Sequence, residues 1–434
     1  MIYSHITEVI GNTPLLKIDE SVHGIKNLEL YAKLEYMNPF GSVKDRSVWG
    51  MLKNDLQDIK DNDKRIVEMS SGNTAKAIQG IAGTFGVDFK TITNRIKVDE
   101  VRDILVMMGT EIEELPGNSD CHDPNDPNDP LVYIHKEIEK DPNGTFFTSQ
   151  YDNQKNVDEH YNTTGEEILK DLDRVDYYFA GLGTTGSSLG PGLKIKERDA
   201  NLQVHGIVAD KHDYIPGIRT IDELYEVGLL NPSFYQDIHN INSQVAIDGM
   251  LNLIRKSGVM SGPTGGAVYA AILEHFKKNP PVTKTKAVFV VCDRAEWYVS
   301  YVKKRRPDVF GQAVVSSWKD DLKVDESVSI DAESLNKMLE SDKETMLVDI
   351  RNQFAFRASH VHRSINLPYE YIDDMFAHKT NPFNMKKPVV FVCPIGEKSE
   401  SIAKYLKQKG VDAYSLESGI TAWRDAGFGL DNSF

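Results

Sequence analysis

Lys44 stands in Asn38-Pro39-Phe40-Gly41-Ser42-Val43-Lys44-Asp45-Arg46, directly ahead of an amphipathic stretch through Val48, Met51, Leu52 and Leu56. Asn-Pro and Gly-Ser are turn and capping chemistry, so the spacing puts the lysine near a helix N-terminus. The positive end of the helix dipole disfavours an ammonium there. That field, joined by burial, would lower the amine's pKa and leave the free amine that Schiff-base chemistry requires. Read by itself, the same lysine also fits a surface residue with a neighbouring salt bridge.

Three further segments offer anion-binding chemistry. Ser70-Ser71-Gly72-Asn73-Thr74 follows the strand-like Ile66-Val67-Glu68-Met69 and precedes a helical pattern through Ala75, Ile78 and Ile81. Its clustered N–H and O–H donors suit a carboxylate or phosphate, although an ordinary capped turn fits as well. Gly181-Leu182-Gly183-Thr184-Thr185-Gly186-Ser187-Ser188 follows an apolar run, Val175 to Ala180, and leads into Leu189-Gly190-Pro191-Gly192. It is neither a P-loop nor the G-x-G-x-x-G dinucleotide pattern, so a phosphate cradle here would serve another phosphorylated cofactor. Ser261-Gly262-Pro263-Thr264-Gly265-Gly266-Ala267 is again a glycine-rich turn entering a helix.

Near the end of the chain, Cys393-Pro394-Ile395-Gly396-Glu397-Lys398-Ser399 follows the run Pro388 to Val392 and precedes a helix carrying Ile402, Ala403 and Leu406. Loop amides, the helix dipole and Lys398 would stabilise a thiolate or persulfide at Cys393. The plain alternative is a small buried hydrophobe, and that reading is adopted for Cys292. Cys121, in a proline-rich stretch, is given no role. No residues are assigned to a metal.

Apolar runs alternate with helical patterns, which predicts an α/β fold with mainly parallel sheets. No repeat at a solenoid period is present. At roughly 150 residues per domain, a chain of 434 residues holds two or three domains. The polar segment from Gly311 to Val328 reads as a linker, dividing the chain into 1–313, a linker at 314–327, and 328–434. Asp123 to Pro130 reads as an exposed loop. The net charge is −15, with −2 on residues 328–434 and the other −13 before them. Such an acidic chain is not expected to bind nucleic acid or membrane surfaces. Three scattered cysteines, no secretory signal and no apolar run of about 18 residues predict a soluble cytoplasmic protein without disulfides.

The order of these segments is more specific than any one of them. Together with Gly11-Asn12-Thr13-Pro14-Leu15, Gln150-Tyr151-Asp152-Asn153 and His160-Tyr161-Asn162-Thr163-Thr164-Gly165, residues 1 to about 310 closely resemble fold-type II pyridoxal-phosphate (PLP) enzymes. Within these the likeness is to the cysteine synthase and cystathionine β-synthase family. The resemblance implies a two-lobed, tryptophan synthase β-like fold, and a homodimer. It makes Lys44 the Schiff-base lysine, and the base at the substrate's α-carbon. Gly183, Thr184, Thr185, Gly186 and Ser187 would form the phosphate cup, and Asn73 would lie beside the cofactor's 3′-oxygen. Ser70, Ser71, Gly72, Thr74 and Gln150 would receive the substrate carboxylate. Thr264 would face the pyridine nitrogen, where a hydroxyl makes the ring a weaker electron sink and favours prompt β-elimination. Three departures stand out: SSGNTA differs from the usual loop at both ends, Thr185 replaces a common glycine, and Ile215-Pro216-Gly217-Ile218-Arg219-Thr220 replaces a glycine-rich segment. Arg219 there is the residue expected to select O-phosphoserine over O-acetylserine.

Leu347-Val348-Asp349-Ile350-Arg351, His360, Asn366-Leu367-Pro368, the Cys393 loop and Leu416 to Trp423 resemble a rhodanese domain over about 328–434. That implies sulfane sulfur carried as a persulfide on Cys393, in a loop with Gly396, Lys398 and Ser399. Lys398 stands where arginine is frequent, and His360-Val361-His362-Arg363-Ser364 lacks the usual glycine. The combined reading is β-replacement on an activated serine to give cysteine or a related product, with sulfide, persulfide, thiosulfate or a sulfur-carrier protein as donor. The alternatives are a desulfhydrase or cystathionine β-synthase-type lyase, a non-sulfur nucleophile, and a rhodanese domain that only docks a partner.

Overall fold

A computed structural model describes residues 2–94, 96–115, 129–211, 213–312, 318–322, 327–341, 344–383 and 386–433. The chain divides into two compact units, residues 1–113 with 137–313 and residues 114–136 with 314–434. The excursion 114–136 groups with the second unit, whereas the sequence reading kept it in the first.

Up to residue 313 the strands are β1 (Leu15–Ile18), β2 (Leu28–Leu34), β3 (Arg65–Met69), β4 (Phe89–Thr93), β5 (Glu111–Glu114), β6 (Thr145–Phe147), β7 (Tyr177–Gly181), β8 (Gln203–Ala209), β9 (Asp237–Ile241) and β10 (Thr285–Val291). They form a six-stranded sheet ordered β1-β2-β10-β7-β8-β9 and a four-stranded sheet ordered β5-β4-β3-β6. In the larger sheet only β1 is antiparallel to its neighbour. Alternate residues of β10 enter different cores: Ala287, Phe289 and Val291 one, Val288 and Val290 the other. Burial on both faces is why this strand reads as an unbroken apolar run. The smaller sheet packs Ile66 and Phe89 against Ile78, Ile81 and Ala82, and against Val48, Met51 and Leu52 of the Lys44–Leu52 helix. The larger sheet packs a core on each face and the smaller sheet has a core of its own, which gives the two lobes that the family resemblance implies.

Arg46 fixes the Lys44–Leu52 helix. Its guanidinium, 1% exposed, donates to Glu35 through Nε (2.7 Å) and Nη2 (3.0 Å), and to both carboxylate oxygens of Glu167 at 2.7 Å. Nη2 also reaches Thr13 Oγ1 (3.1 Å), and Lys33 Nζ donates to Glu167 (2.6 Å). Burial alone would raise the Glu35 pKa, but Arg46 outweighs it and holds the carboxyl at about 2. Behind the same helix, Ser47 Oγ meets His160 Nε2 at 3.1 Å, and burial pushes that imidazole down to about 3.

The remaining strands are β11 (Ser329–Ile330), β12 (Met346–Asp349), β13 (His360–Val361), β14 (Ile365–Asn366), β15 (Val389–Val392), β16 (Ala413–Leu416) and β17 (Leu430–Asp431). A five-stranded sheet runs β11-β16-β15-β12-β14, and β13 pairs with β17. Here too one strand feeds two cores, with Val389 and Phe391 on one face of β15 and Val390 and Val392 on the other.

Two sequence expectations need correction. The supposed linker is anchored at Trp318, whose indole is 5% exposed, packs edge-on against Phe376 (5.1 Å) and Tyr405 (5.0 Å), and donates to Asp373 (2.9 Å). The hydrophobic gain from a large aromatic outweighs the polar character of its neighbours. The proposed exposed loop at 123–130 ends on a buried Asp129, whose carboxylate caps the helix Pro130–Lys140 by accepting from Leu131 N (2.9 Å). The rest of that loop, and Cys121, lie outside the described residues.

Replacing Arg46 by Met leaves Glu35 buried without its counter-charge, and should destabilise the first unit by about 3–5 kcal/mol in denaturant unfolding. Glu35 titrates near 2 when folded and near 4.5 when unfolded, so its stabilisation is complete above pH 4.5 and lost as pH falls towards 2. This acid-sensitive component should disappear in Arg46→Met; an unchanged acid profile would count against the clamp.

Candidate active site

Lys44 is the first residue of its helix, and its backbone N–H donates to Ser42 Oγ at 3.2 Å. The side chain keeps partial access, but its amine is desolvated, which lowers its pKa. Nζ lies 3.0 Å from Thr184 Oγ1, in the glycine-rich loop between β7 and the helix Gly186–Arg198.

This loop is shaped for close approach. A Cβ on Gly183 would come within 2.6 Å of the Gly217 carbonyl, and one on Gly186 within 2.1 Å of Asn156 Oδ1. Thr185 caps the helix in the left-handed region at φ +62°, which costs a β-branched residue about 1–2 kcal/mol. Glycine would adopt this conformation without that cost. Thr185 Oγ1 is buried without a hydrogen-bond partner. A strained residue aiming an orphaned hydroxyl beside a helix N-terminus is chemically suited to an anionic ligand such as phosphate. Ser187, partly accessible, accepts from Tyr178 Oη through its carbonyl at 2.6 Å.

Asn156 joins this loop to the next group of residues, donating to Thr184 Oγ1 and to the Gln150 carbonyl, both at 3.0 Å. Gln150 accepts from Thr74 Oγ1 (2.8 Å) and donates to the Met69 carbonyl (3.0 Å). Ser70 Oγ accepts from Gly72 N (3.3 Å) and Ala75 N (3.2 Å), capping the helix Asn73–Phe85, while Ser71 and Gly72 keep partial access. Asn73 Nδ2 donates to Asp293 (2.5 Å) and Tyr298 Oη (3.2 Å), and its Oδ1 is buried without a partner. Lys44, the two loops and Gln150 therefore form one connected site.

Thr264 is brought to it from another direction. Its hydroxyl donates to the Pro216 carbonyl at 2.5 Å, and its Cγ2 would meet a Cβ on Gly181 at 2.8 Å. Arg219 follows two residues after Gly217, donates from its backbone N–H to the Leu182 carbonyl (2.9 Å) and bonds Tyr151 Oη through Nη2 (2.9 Å). Its guanidinium also lies 5.0 Å from the Tyr151 ring centre. Tyr151 adjoins Gln150, so the arginine is carried to the edge of the same site.

Sequence reasoning missed several groups here. Glu68, on β3, accepts from Met69 N (2.8 Å), Gln150 N (3.2 Å) and Thr148 Oγ1, yet burial outweighs these donors and raises its pKa to about 7. Lys76 lies one turn beyond Asn73, with its amine 3.5 Å from the Trp297 ring centre, and burial lowers it to about 8. Burial likewise raises Asp293. Cys292, assigned as a plain buried residue, is partly accessible, while burial of its thiol, with Asp293 beside it, pushes that group up. Asn156 and His160 had one legible signal, polar residues at i and i+4 on the inward face of the helix Gln154–His160.

In the second unit Cys393 directly follows β15 and is 1% exposed. Its Sγ accepts from Gly396 N (3.1 Å) and Ser399 Oγ (3.2 Å). Gly396 sits at φ +92°, the left-handed region that favours glycine, and opens the helix Glu397–Gln408. Lys398 places its ammonium 4.9 Å from the Tyr369 ring centre. Behind the loop, Arg351 is paired with Asp349 at 2.7 Å, both fully buried.

Two family patterns match this chain: Pyridoxal-phosphate dependent enzyme over residues 6–293, and Rhodanese-like domain over 331–426. The chain is 29% identical over 300 residues to cysteine synthase B of Escherichia coli (strain K12), covering 68% of this chain and 95% of that protein. Among solved structures it resembles a hydrogen sulfide-producing enzyme from Fusobacterium nucleatum, at 28% identity, with a TM-score of 0.61 over 69% of this chain and 99% of the other. It also resembles a cysteine synthase from Entamoeba histolytica, at 25% identity, with a TM-score of 0.61 over 70% and 90%. The protein thus belongs to the pyridoxal-phosphate dependent enzymes, uses that cofactor, and carries a rhodanese-like domain.

Proposed function

We propose that the first unit catalyses β-replacement on an activated L-serine, giving L-cysteine or a related product, and that Cys393 handles sulfur as a persulfide. The observation that carries the reading is the desolvated Lys44 amine, held 3.0 Å from Thr184 at the mouth of the phosphate-type loop. Gly183, Thr184, Thr185, Gly186 and Ser187 would hold the cofactor phosphate, with the orphaned Thr185 hydroxyl among the donors. Asn73 would meet the ring's 3′-oxygen, and Thr264 its nitrogen. Bound PLP supplies an electron sink at the substrate's α-carbon. Lys44, as a free amine, takes the proton from that carbon. The N–H groups and hydroxyls at Ser70, Ser71, Gly72 and Thr74, with Gln150, receive the substrate carboxylate at a helix N-terminus. A persulfide on Cys393 would be stabilised by the Gly396 N–H and the Ser399 hydroxyl that already serve its sulfur. A thiol reductant, itself oxidised to a disulfide, would release that sulfur as sulfide, and carriage on the same chain raises its effective concentration for the first unit.

A second reading is favoured by one observation, the likeness to a hydrogen sulfide-producing enzyme. In that case cysteine is the substrate and its sulfur leaves as sulfide, while Cys393 stays outside that reaction. Supplying cysteine alone and measuring sulfide separates the two readings: release faster than cysteine synthesis from either activated serine would favour the lyase.

Lys44→Ala should abolish the yellow Schiff-base absorbance and lower turnover by at least about a hundredfold; retained colour and rate would exclude the lysine. Arg219→Ala should reduce kcat/KM for O-phosphoserine by about 10–100-fold and leave O-acetylserine nearly unchanged. Equal losses for both donors would remove Arg219 from substrate selection. Cys393→Ser should eliminate sulfane transfer from thiosulfate or a persulfide while free sulfide still supports synthesis. If neither activity falls, the domain serves as a docking module.

A further inference from the structure

His205 on β8, His239 on β9 and His275 on the helix Pro263–Lys278 converge far from one another in sequence. The strand register places His239 opposite Ile207, so it shares a sheet face with His205, and the helix lays His275 over that face. Each imidazole offers one nitrogen to a cluster in which these atoms lie within 4.8 Å of one another; among the described residues this is the one such group of three His, Cys, Asp or Glu. His205 Nδ1 and His239 Nε2 are 2.9 Å apart, sharing one proton in a hydrogen bond. His205 is 1% exposed, and its Nε2 is buried without a partner, as is Nε2 of His275. Three polar rings have thus been brought into a largely apolar wall of Tyr177, Phe179 and Phe276 with two of their nitrogens unsatisfied. Burying such groups unpaired costs about 1–3 kcal/mol each.

We propose that His205, His239 and His275 form a binding site for a divalent transition-metal ion, with zinc as the ion of choice. Neutral imidazoles are good ligands for zinc, and three protein nitrogens plus one open position is a common zinc arrangement. At Zn–N distances of about 2.0–2.1 Å, tetrahedral nitrogens lie about 3.4 Å apart. The 2.9 Å pair therefore opens slightly and the third ring closes in, shifts within side-chain reach. The proton shared by His205 and His239 moves to the far nitrogen of its own ring, so binding needs no net proton release. Water or Asp237, whose carboxylate is 3.7 Å from His239 Nε2, takes the fourth position. His239 retains 17% exposure, giving the ion a route from solvent. The ion would fasten β8 and β9 to the helix whose first turn holds Thr264, away from the Lys44 site. It stabilises the large lobe without taking part in the chemistry.

The test titrates zinc into tag-free, PLP-loaded, full-length protein by calorimetry and follows the melting temperature alongside. Wild type and the surface control His378→Ala should each bind one equivalent and melt several degrees higher with zinc. His275→Ala should weaken binding at least about a hundredfold and abolish the thermal shift. His239→Gln, a polar replacement at a half-buried strand position, should do the same if His275→Ala fails to fold. Equal zinc affinity in wild type and His239→Gln, or no thermal shift in wild type, overturns the proposal.

Discussion

The Arg46 clamp is the constraint on which the first unit depends. One guanidinium draws together Thr13 near the chain start, Glu35 at the end of β2 and Glu167 from the helix Glu166–Asp171. Lys44 lies two residues away on the same helix, so whatever fixes Arg46 also fixes the amine. A buried ion pair is seldom more stabilising than well-packed apolar groups of the same volume. It does impose direction, since the fork of Arg46 accepts its two carboxylates in one orientation only. Positional precision at Lys44 is what this arrangement provides that leucines could not.

The carboxyls nearby show how finely burial and pairing are balanced. Glu35 is completely buried yet held at about 2, because two cationic groups face it. Glu68 and Asp45 are as deeply buried but have hydrogen-bond donors rather than a paired cation, and burial raises both to about 7. Three acidic residues within the first unit therefore carry charge at neutral pH to different extents. The effect is a site whose permanent charge is kept behind the helix, while the face around Lys44 offers neutral donors and an amine with a lowered pKa. Anionic ligands meet few fixed negative charges on that face.

What the sequence revealed was local chemistry. The glycine and hydroxyl loops, Lys44 and Cys393 lie within a few residues of a strand end or a helix start, so their placement could be read from neighbours along the chain. Asn156 could not, because its partners Thr184 and Gln150 come from two other segments. The three histidines are spread over seventy residues and meet only through sheet register and a helix packed on that face. Trp318 sat in a polar stretch whose composition outvoted the one residue that mattered. Thr185 was visible as a departure from a family pattern, but its meaning, a left-handed backbone that glycine would adopt freely, required the φ angle.

The second unit repeats the device of the first with different chemistry. Each has a parallel strand ending at a loop, a helix starting there, and a buried arginine–carboxylate pair behind it, Arg46 with Glu35 and Arg351 with Asp349. In both, the candidate reactive atom is met by a hydroxyl, Thr184 for Lys44 Nζ and Ser399 for Cys393 Sγ. The difference lies in what surrounds it. The Lys44 site is built from loops of several segments, Thr184 and Asn156 joining it to Gln150. The Cys393 loop is closed by Gly419, where a Cβ would approach the Cys393 carbonyl to 2.1 Å, and by Ile420 N donating to that carbonyl at 3.0 Å. Gly419 and Ile420 thus fix the Cys393 backbone, and with it the direction in which Sγ meets Gly396 N and Ser399 Oγ.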